Sequence, residues 1–378
     1  MPGRQHPRAR QPFRVAVLGV VALICTIVAY GGFRNARAAG QSAPAPLASL
    51  IEQLSEPNGE FDTDNLISNE QSYLHVVPAL EQAGTGGVYI GVGPDQNFSY
   101  IARLRPTEAF IVDIRRDNLL LHLLFKAIFA VSRNRVEYLS LLTGRPAPDR
   151  VDTWRDSSIE KIVSYFDEAK PSSAATAAED AERLHAAIRK VGVPLSAKDF
   201  ATIDRFHAAF KNEGLALQFR STGRPAREYY PTYRDLLLET DRKGRKLCYL
   251  ASEDDFQFLK TLEGRDGVIP VVGDLSGPHA VAAIGQLMNQ RGERLSAFYV
   301  SNVENYLFRD GAYARYIDNL KRLPHSDRSL IIRAIFGGYS LPESVPGYYS
   351  TSTVQNLNEL LAACAAGKCR SYYELLRR

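Results

Sequence analysis

The sequence lacks the short motifs that mark several common enzyme classes. Its seven histidines show no metal-ligand spacing, and it contains neither an H-E-x-x-H motif nor a cysteine cluster. It also contains no G-x-S-x-G elbow of an α/β-hydrolase and no G-x-x-x-x-G-K-[ST] phosphate loop. These absences argue against a metal centre, a hydrolase of that fold and a phosphate-loop NTPase.

The body of the protein also lacks a positive charge excess. The formal net charge of the chain is +4, but residues 1–38 hold six arginines and no acidic residue. Subtracting these six charges from +4 leaves −2 for the remaining residues. Because nucleic-acid-binding proteins present a basic surface, we predict no nucleic-acid partner.

The N-terminus has the pattern of a targeting segment. A basic stretch through Arg14 precedes VAVLGVVALICTIVAY, sixteen residues without a charge, and Ala36 and Ala38 then fit the small-residue rule for signal cleavage. We interpret residues 1–38 as a signal peptide or an N-terminal membrane anchor. The distribution of arginines places the body outside the cytoplasm, so we predict an exported protein, either periplasmic or anchored to the inner membrane.

Four cysteines are too few to define a compartment. Cys25 lies in the apolar run, and Cys248 has the surroundings of a core residue. Cys364 and Cys369 are close enough in sequence to form a small disulfide in an oxidising compartment. Two unpaired thiols near a helix end fit the same spacing equally well.

Alternating strand and helix patterns predict the fold. After a linker at 39–60, residues 61–144 contain two strands, residues 145–250 are mostly helical, and residues 251–378 contain three more strands. Such alternation is typical of a doubly wound, mostly parallel sheet. We therefore predict an α/β protein whose sheet is interrupted by a large helical insertion at 145–250.

A glycine turn follows the first strand. Gly91 and Gly93 lie between that strand and a helix, and Asp113 closes the next strand 22 positions after Gly91. Glycines there let the backbone approach a ligand, and an acidic residue at the second strand end can bind a ribose. Gln96 replaces the third glycine of the dinucleotide fingerprint, which weakens an NAD or FAD interpretation. A turn without any ligand is the structural alternative.

This pattern resembles class I S-adenosylmethionine-dependent methyltransferases over about 88–116 and 268–336. The resemblance implies that S-adenosylmethionine is the cofactor and that its binding residues are Gly91, Gly93, Asp95, Asn97, Asp113 and Asp274. Asp113 would hold the ribose, and Asp274 would contact the adenine amino group. Two positions depart from the family pattern, since Tyr89 replaces the usual acidic residue and Asp95 the usual third glycine. The segments YIGVGPDQNFSYI, DIRRDNLL and SNVENYL also resemble an uncharacterised group of bacterial proteins of this fold.

A polar cluster follows the fourth strand. Asn302 would face the reacting methyl group, Glu304 would act as a general base, and Tyr306 would orient the acceptor. A surface turn with satisfied side chains fits this cluster as well. Two further segments are candidates for the same pocket: Ser68, Asn69, Glu70 and Tyr73 ahead of the first strand, and the aromatic residues of 227–237. Helix capping and insertion packing, respectively, are their structural alternatives.

The predicted export segment and the predicted cofactor site indicate different compartments. S-adenosylmethionine is made and kept in the cytoplasm, so an exported enzyme would lack its methyl donor. The sequence therefore supports two hypotheses: a methyltransferase acting on a small substrate, or an exported non-catalytic binding or scaffold protein with a degenerate crevice. We predict a small-molecule ligand and no metal, and contact with a membrane through the N-terminal segment if it is retained. A non-catalytic protein would use the crevice or the insertion to bind an envelope partner.

Overall fold

The computed structural model describes Gly3 and residues 46–337, 339 and 341–376. The chain divides into two compact units, Met1–Pro46 and Leu47–Arg378, and every described helix and strand belongs to the second. The predicted signal or anchor at 1–38 lies, apart from Gly3, outside the described residues. Within the described ranges, no helix is both long and apolar enough to cross a membrane.

Six strands form one sheet in the order β3-β2-β1-β4-β5-β6. Five of these strands are parallel, and β6 runs antiparallel to β5. The strands are β1 Val88–Gly91, β2 Glu108–Asp113, β3 Val268–Val272, β4 Leu295–Ser301, β5 Leu330–Phe336 and β6 Ser350–Asn356. The prediction of an α/β protein with a mostly parallel sheet is confirmed.

The five parallel strands are nearly continuous runs of buried apolar residues. All positions of β1 and β3 are buried, and so are the central positions of β2, β4 and β5. Such runs are typical of parallel strands covered on both faces. The first four residues of the sixth strand, STSTVQN, are buried although they are polar, and the Ser72 hydroxyl lies 3.1 Å from the hydroxyls of both Ser350 and Ser352.

The helices before the insertion pack against several strands of the sheet. In chain order they are α1 Leu47–Leu54, a 3-10 helix Gln71–Val76, α2 Val77–Ala83, α3 Gln96–Leu104, α4 Arg116–Val131 and α5 Arg135–Thr143. Helix α4 buries most of its side chains, as its strongly apolar sequence predicts. Helix α1 lies within the predicted linker 39–60, and its four leucine and isoleucine side chains join the core.

Residues 145–250, the predicted helical insertion, contain the 3-10 helices Val151–Trp154 and Gly214–Ala216 and the helices α6 Ile159–Glu168, α7 Ala174–Lys190, α8 Ala197–Glu213 and α9 Tyr233–Leu238. Helix α10 Glu253–Gly264 lies between this segment and β3. Ser196, the N-cap of α8, accepts a hydrogen bond from Asp199 N at 3.2 Å, and Asp199 accepts one from Ser196 N at 2.8 Å. This capping box fixes the start of α8.

The remaining helices follow β3, β4 and β6. They are α11 Ala280–Arg291, α12 Val303–Arg309, α13 Tyr313–Arg322, α14 Leu357–Ala365 and α15 Tyr372–Leu376. Cys364, in α14, is disulfide-bonded to Cys369, whereas Cys248 is a buried free thiol. Cys364 and Cys369 are therefore bonded to each other and are not two free thiols.

The strand order reverses direction between β1 and β4. From β1 the chain proceeds outward through β2 to β3, and it then returns to add β4, β5 and β6 on the other side. The carboxyl ends of β1 to β5 therefore form one edge of the sheet, which we call the carboxyl rim. In open α/β sheets ligands bind at this edge, beside such a reversal.

Candidate functional site

The structure brings the predicted cofactor residues to one part of the carboxyl rim. Gly91 is the last residue of β1 and pairs with Ile111, and Asp113 is the last residue of β2 and pairs with Val272. Gly273 N donates a hydrogen bond to Asp113 O at 2.8 Å, which brings Asp274 to the same edge. The glycine turn and both aspartates therefore follow three neighbouring strands.

The glycine turn itself is buried, and Asn97 holds it. A Cβ built on Gly91 would overlap Asn97 Oδ1 and lie 2.7 Å from Tyr89 OH, so the close approach requires glycine. Tyr89 OH donates to Asn97 Oδ1 at 2.7 Å, and Asn97 Nδ2 donates to the carbonyls of Val92 and Pro94 at 2.8 and 2.7 Å. Asn97 thus uses both polar atoms of its amide on the turn.

Gly93 has a left-handed backbone conformation, with φ at 79°. Its carbonyl oxygen lies 2.9 Å from His122 Nε2 in α4. The imidazole is 2% exposed, and this burial lowers its pKa to about 4. His122 is therefore a neutral core residue that closes the far side of the turn.

Asp95 is buried among tyrosines that the insertion supplies. Its Oδ2 accepts hydrogen bonds from Tyr233 OH at 2.7 Å and from Tyr249 OH at 3.0 Å. Burial raises the pKa of Asp95 to about 6, although the two hydroxyl donors act in the opposite direction. The insertion is thus anchored on the glycine turn through a carboxyl group that titrates near neutral pH.

We expect Asp95→Asn to remove a pH-dependent part of the stability. Because the folded pKa of about 6 lies above the ordinary 3.8, the wild-type contribution is complete below pH 4 and is lost as pH rises through 6. The amide that replaces the carboxyl group carries no charge, so relative to wild type the variant should gain about 3 kcal/mol between pH 4 and pH 8. Urea unfolding across this range measures it. A stability difference that does not change with pH would contradict the expectation.

Asp113 is occupied by the neighbouring arginine. Its two carboxylate oxygens accept hydrogen bonds from Arg115 Nε at 3.0 Å and from Arg115 Nη2 at 2.9 Å. The Arg115 backbone N–H also donates to Asp113 Oδ1 at 2.9 Å, and the Arg115 guanidinium donates to the Thr63 carbonyl. The carboxylate that would hold a ribose is therefore part of a closed ion pair.

Asp274 forms the turn that follows β3. Its Oδ1 accepts from Ser276 N at 2.8 Å and from Ser276 Oγ at 3.0 Å. The Glu56 carboxylate accepts hydrogen bonds from the backbone N–H groups of Asp274, His279 and Ala280, at 3.0, 2.8 and 2.8 Å. Glu56 thus occupies the start of α11, a position where free N–H groups favour an anion.

Residues 55–65, here called the rim segment, run across the ends of β2 and β3. Glu56 N donates to Val272 O at 2.7 Å, and Gly59 N donates to Ile114 O at 2.8 Å. Asn58 Oδ1 accepts from Arg116 N at 2.5 Å, at the start of α4. The chain's own backbone and side chains therefore cover the rim beside Asp113 and Asp274.

A buried carboxyl group organises the end of β4. Glu70 is 1% exposed and accepts hydrogen bonds from Tyr299 OH at 2.6 Å, from Gln96 Nε2 at 3.0 Å and from Ser301 Oγ. Burial raises the pKa of Glu70, and these three donors partly offset it. Ser301 has φ at 51°, a strained conformation for a residue with a side chain. This bend places Asn302 beyond the strand end.

The three predicted catalytic residues separate into two groups. Asn302 and Tyr306 line an open cleft, whereas Glu304 is 1% exposed and faces the opposite way, into the core. Both Glu304 oxygens accept hydrogen bonds from the Arg333 guanidinium, and the Tyr313 hydroxyl lies 3.4 Å away. Burial acts to lower the pKa of Arg333, but the charge of Glu304 outweighs it and raises that pKa. Glu304 and Arg333 therefore form a buried ion pair in the core, away from the cleft.

The open cleft has a volume of about 550 Å³ and lies at the ends of β4 and β5. We call it the tyrosine–arginine cleft. Its lining residues are Phe61, Asp62, Thr63, Asn69, Phe219, Ser221, Arg224, Pro225, Arg227, Tyr230, Asn302, Tyr306, Arg309, Phe336 and Tyr349. Its volume is within the range of small-molecule sites. The rim segment, the insertion and the ends of both strands contribute to it.

Sequence reasoning found part of this lining. Asn69, Asn302 and Tyr306 were candidates, and of the aromatic stretch 227–237 the residues Arg227 and Tyr230 line the cleft while Tyr233 is buried. Arg224, Phe336 and Tyr349 were missed. Arg224 and Tyr349 lie in segments without regular periodicity, whereas Phe336 is the last residue of β5. Only the tertiary fold brings the three together at the ends of β4 and β5.

Among the described residues, no group of three or more histidine, cysteine, aspartate or glutamate side chains is arranged to hold a metal ion. No curated protein sequence is significantly similar to the chain. The family model described as a domain of unknown function, DUF7790, matches residues 66–378, which include the glycine turn, the insertion and most of the cleft lining. The chain therefore belongs to the DUF7790 family.

Proposed function

We propose that this protein is an exported, non-catalytic binding protein built on a methyltransferase-like α/β frame. Its ligand would bind in the tyrosine–arginine cleft and not beside the glycine turn. The observation that carries this proposal is the rim segment, which covers the part of the carboxyl rim that a nucleotide-type cofactor would need.

The strand order supports the Rossmann-like and methyltransferase-like character of the frame. The order β3-β2-β1-β4-β5-β6 is the one found in doubly wound dinucleotide-binding sheets, although β6 is antiparallel here. The glycine turn lies between β1 and α3, and an aspartate closes the adjacent strand β2, as in the resemblance drawn from the sequence. These features support a common frame, while function depends on the site itself.

Asp113 and Asp274 already have hydrogen-bond partners within the chain, and this supports a binding function rather than methyl transfer. Asp113 would have to release Arg115 before its two oxygens were free for ribose hydroxyls. Asp274 is likewise engaged with Ser276, and Glu56 takes the N–H groups at the start of α11. Removing a partner from a buried charged group is costly, so opening this rim for a cofactor is unfavourable.

Methyl transfer is the second candidate, and the convergence of the glycine turn, Asp113 and Asp274 on one rim favours it. In that case the rim segment would have to move away for S-adenosylmethionine, and the acceptor would occupy the cleft beside Asn302 and Tyr306. The two candidates differ in one measurable property, which is affinity for the cofactor.

We expect no binding of S-adenosylmethionine or S-adenosylhomocysteine to the full-length chain. Isothermal titration calorimetry of protein whose fold is verified by circular dichroism is the measurement. A one-to-one isotherm with either compound would reject the proposal in favour of methyl transfer. In that event Asp113→Ala, which removes the ribose-binding carboxylate, should weaken the interaction and would assign the heat to the rim.

A further inference from the structure

We infer that the tyrosine–arginine cleft binds a carboxylated saccharide, with Arg227 pairing to a carboxylate and tyrosine rings packing on the sugar faces. This inference deepens the proposed function and rests on it. It names the class of ligand from the charge, the ring geometry and the polar groups of the cleft.

The charge of the cleft differs in sign from that of the protein body. Three arginines and one aspartate line it, whereas the residues after position 38 carry a net charge of −2. Arg224 pairs with Asp62, and Arg309 pairs with Asp310 at 3.0 Å. A local excess of positive charge in a cleft attracts and orients an anion.

Arg227 is the arginine most available to such an anion. It donates a hydrogen bond to Tyr229 OH at 2.6 Å, and this bond raises the pKa of its guanidinium. Within the described part of the chain, no ion pair includes Arg227. Its planar group offers two parallel donors, the geometry that a carboxylate accepts.

Aromatic rings in and beside the wall of the cleft remain open to solvent. Phe61 is 44% exposed, Tyr229 39% and Tyr349 36%, which is unusual for rings that lie together around one opening. The Tyr229 and Tyr349 ring centroids are 4.0 Å apart, and Phe61 meets Tyr306 edge to face at 5.3 Å. Guanidinium groups lie over two of these rings, Arg227 at 5.7 Å from the Tyr229 centroid and Arg309 at 4.9 Å from the Tyr306 centroid. The ring surface that stays exposed is apolar, and the tyrosines add hydroxyl groups at its edge.

The ring geometry favours a saccharide over a nucleotide. A flat base is best held between two parallel rings, but Tyr230 and Tyr349 meet at 74° and Phe61 and Tyr306 at 80°. Tyr229 and Tyr349 are closer to parallel, at 31°, but their centroids are 4.0 Å apart, which leaves no room for a base between them. The C–H face of a sugar needs only one ring face, and its hydroxyls need polar neighbours. Asn69 and Asn302 supply amide groups on the same lining.

Titration calorimetry of the full-length chain with trigalacturonate, and with its uncharged trimethyl ester as the matched control, tests this inference. We expect trigalacturonate to bind, more weakly at high salt because part of the attraction is electrostatic, and the ester not to bind. Arg227→Gln should weaken trigalacturonate binding roughly tenfold or more. Arg183→Gln changes the net charge equally but lies in α7, outside the cleft, and should leave the affinity unchanged.

Three results would overturn the inference. They are equal binding of both trisaccharides, binding of neither by folded protein, and an Arg227→Gln variant with wild-type affinity. If one of these results is found and S-adenosylmethionine does not bind, the ligand class is rejected and the proposed function is retained. Heat with S-adenosylmethionine rejects the proposed function instead.

Discussion

Arg333→Met is expected to lower the free energy of unfolding by about 3–5 kcal/mol, because it leaves the carboxylate of Glu304 buried without its partner. Both side chains are 1% exposed, and the guanidinium donates to both carboxylate oxygens and to Gln355 Oε1 at 2.8 Å. Urea unfolding monitored by circular dichroism measures the loss. Arg328→Met, at an exposed position just before β5, is the control and should change stability by less than about 0.5 kcal/mol.

The double variant Arg333→Met with Glu304→Met distinguishes the contribution of the ion pair to stability from that of side-chain packing. Replacing both charges by apolar groups removes the unpaired carboxylate, so we expect it to recover much of the stability that Arg333→Met alone loses. Additive losses in the two single variants would show that the charges do not interact. If Glu304→Gln had no effect on stability, the ion pair would contribute nothing measurable to folding, which would contradict the expectation.

Gly91→Ala is expected to cost about 3 kcal/mol or more through overpacking and lost hydrogen bonds. The added methyl group would overlap Asn97 Oδ1 and crowd Tyr89 OH, and both groups are completely buried. Moving Asn97 would break its bonds to Tyr89 and to the carbonyls of Val92 and Pro94. Thermal and urea unfolding of the variant give the size of the effect.

Gly264→Ala provides the matched control for this substitution. Gly264 ends α10, no atom lies within 4 Å of its built Cβ, and it does not need a left-handed conformation. Alanine there should leave stability nearly unchanged or raise it slightly. If Gly91→Ala were as well tolerated as Gly264→Ala, the turn would be looser than its contacts indicate, and a ligand-binding role for it would regain support.

The fold could be predicted as far as local patterns carry structural information. The parallel strands have apolar, β-branched and aromatic sequences, and their alternation with helices was sufficient to predict the sheet. Strand β6 was missed because STSTVQN has no apolar alternation. Its buried residue Ser350 contacts Ser72, which is 278 residues away in the chain. No local pattern reports a contact of that separation.

The candidate site was likewise predicted in part, where local patterns were sufficient, and missed where long-range contacts decide the structure. Glycines after a strand and aspartates at strand ends predicted which residues share the rim, since strand position follows from periodicity. What covers that rim depends on residues 55–65, which have no regular period. The partner of Glu304 was equally hidden, because Arg333 lies inside an apolar strand where a buried cation is unexpected.

The rim segment also has a consequence for any guest molecule. It is a tethered occupant that is covalently joined to the site it covers, so its effective concentration there is on the order of millimolar or more. A free metabolite would have to displace the rim segment before it could contact this part of the rim. Its apparent affinity would fall by the fraction of time that the segment is in place. Shortening the tether, or cutting it, is therefore a more direct way to unmask this rim than raising the concentration of a guest.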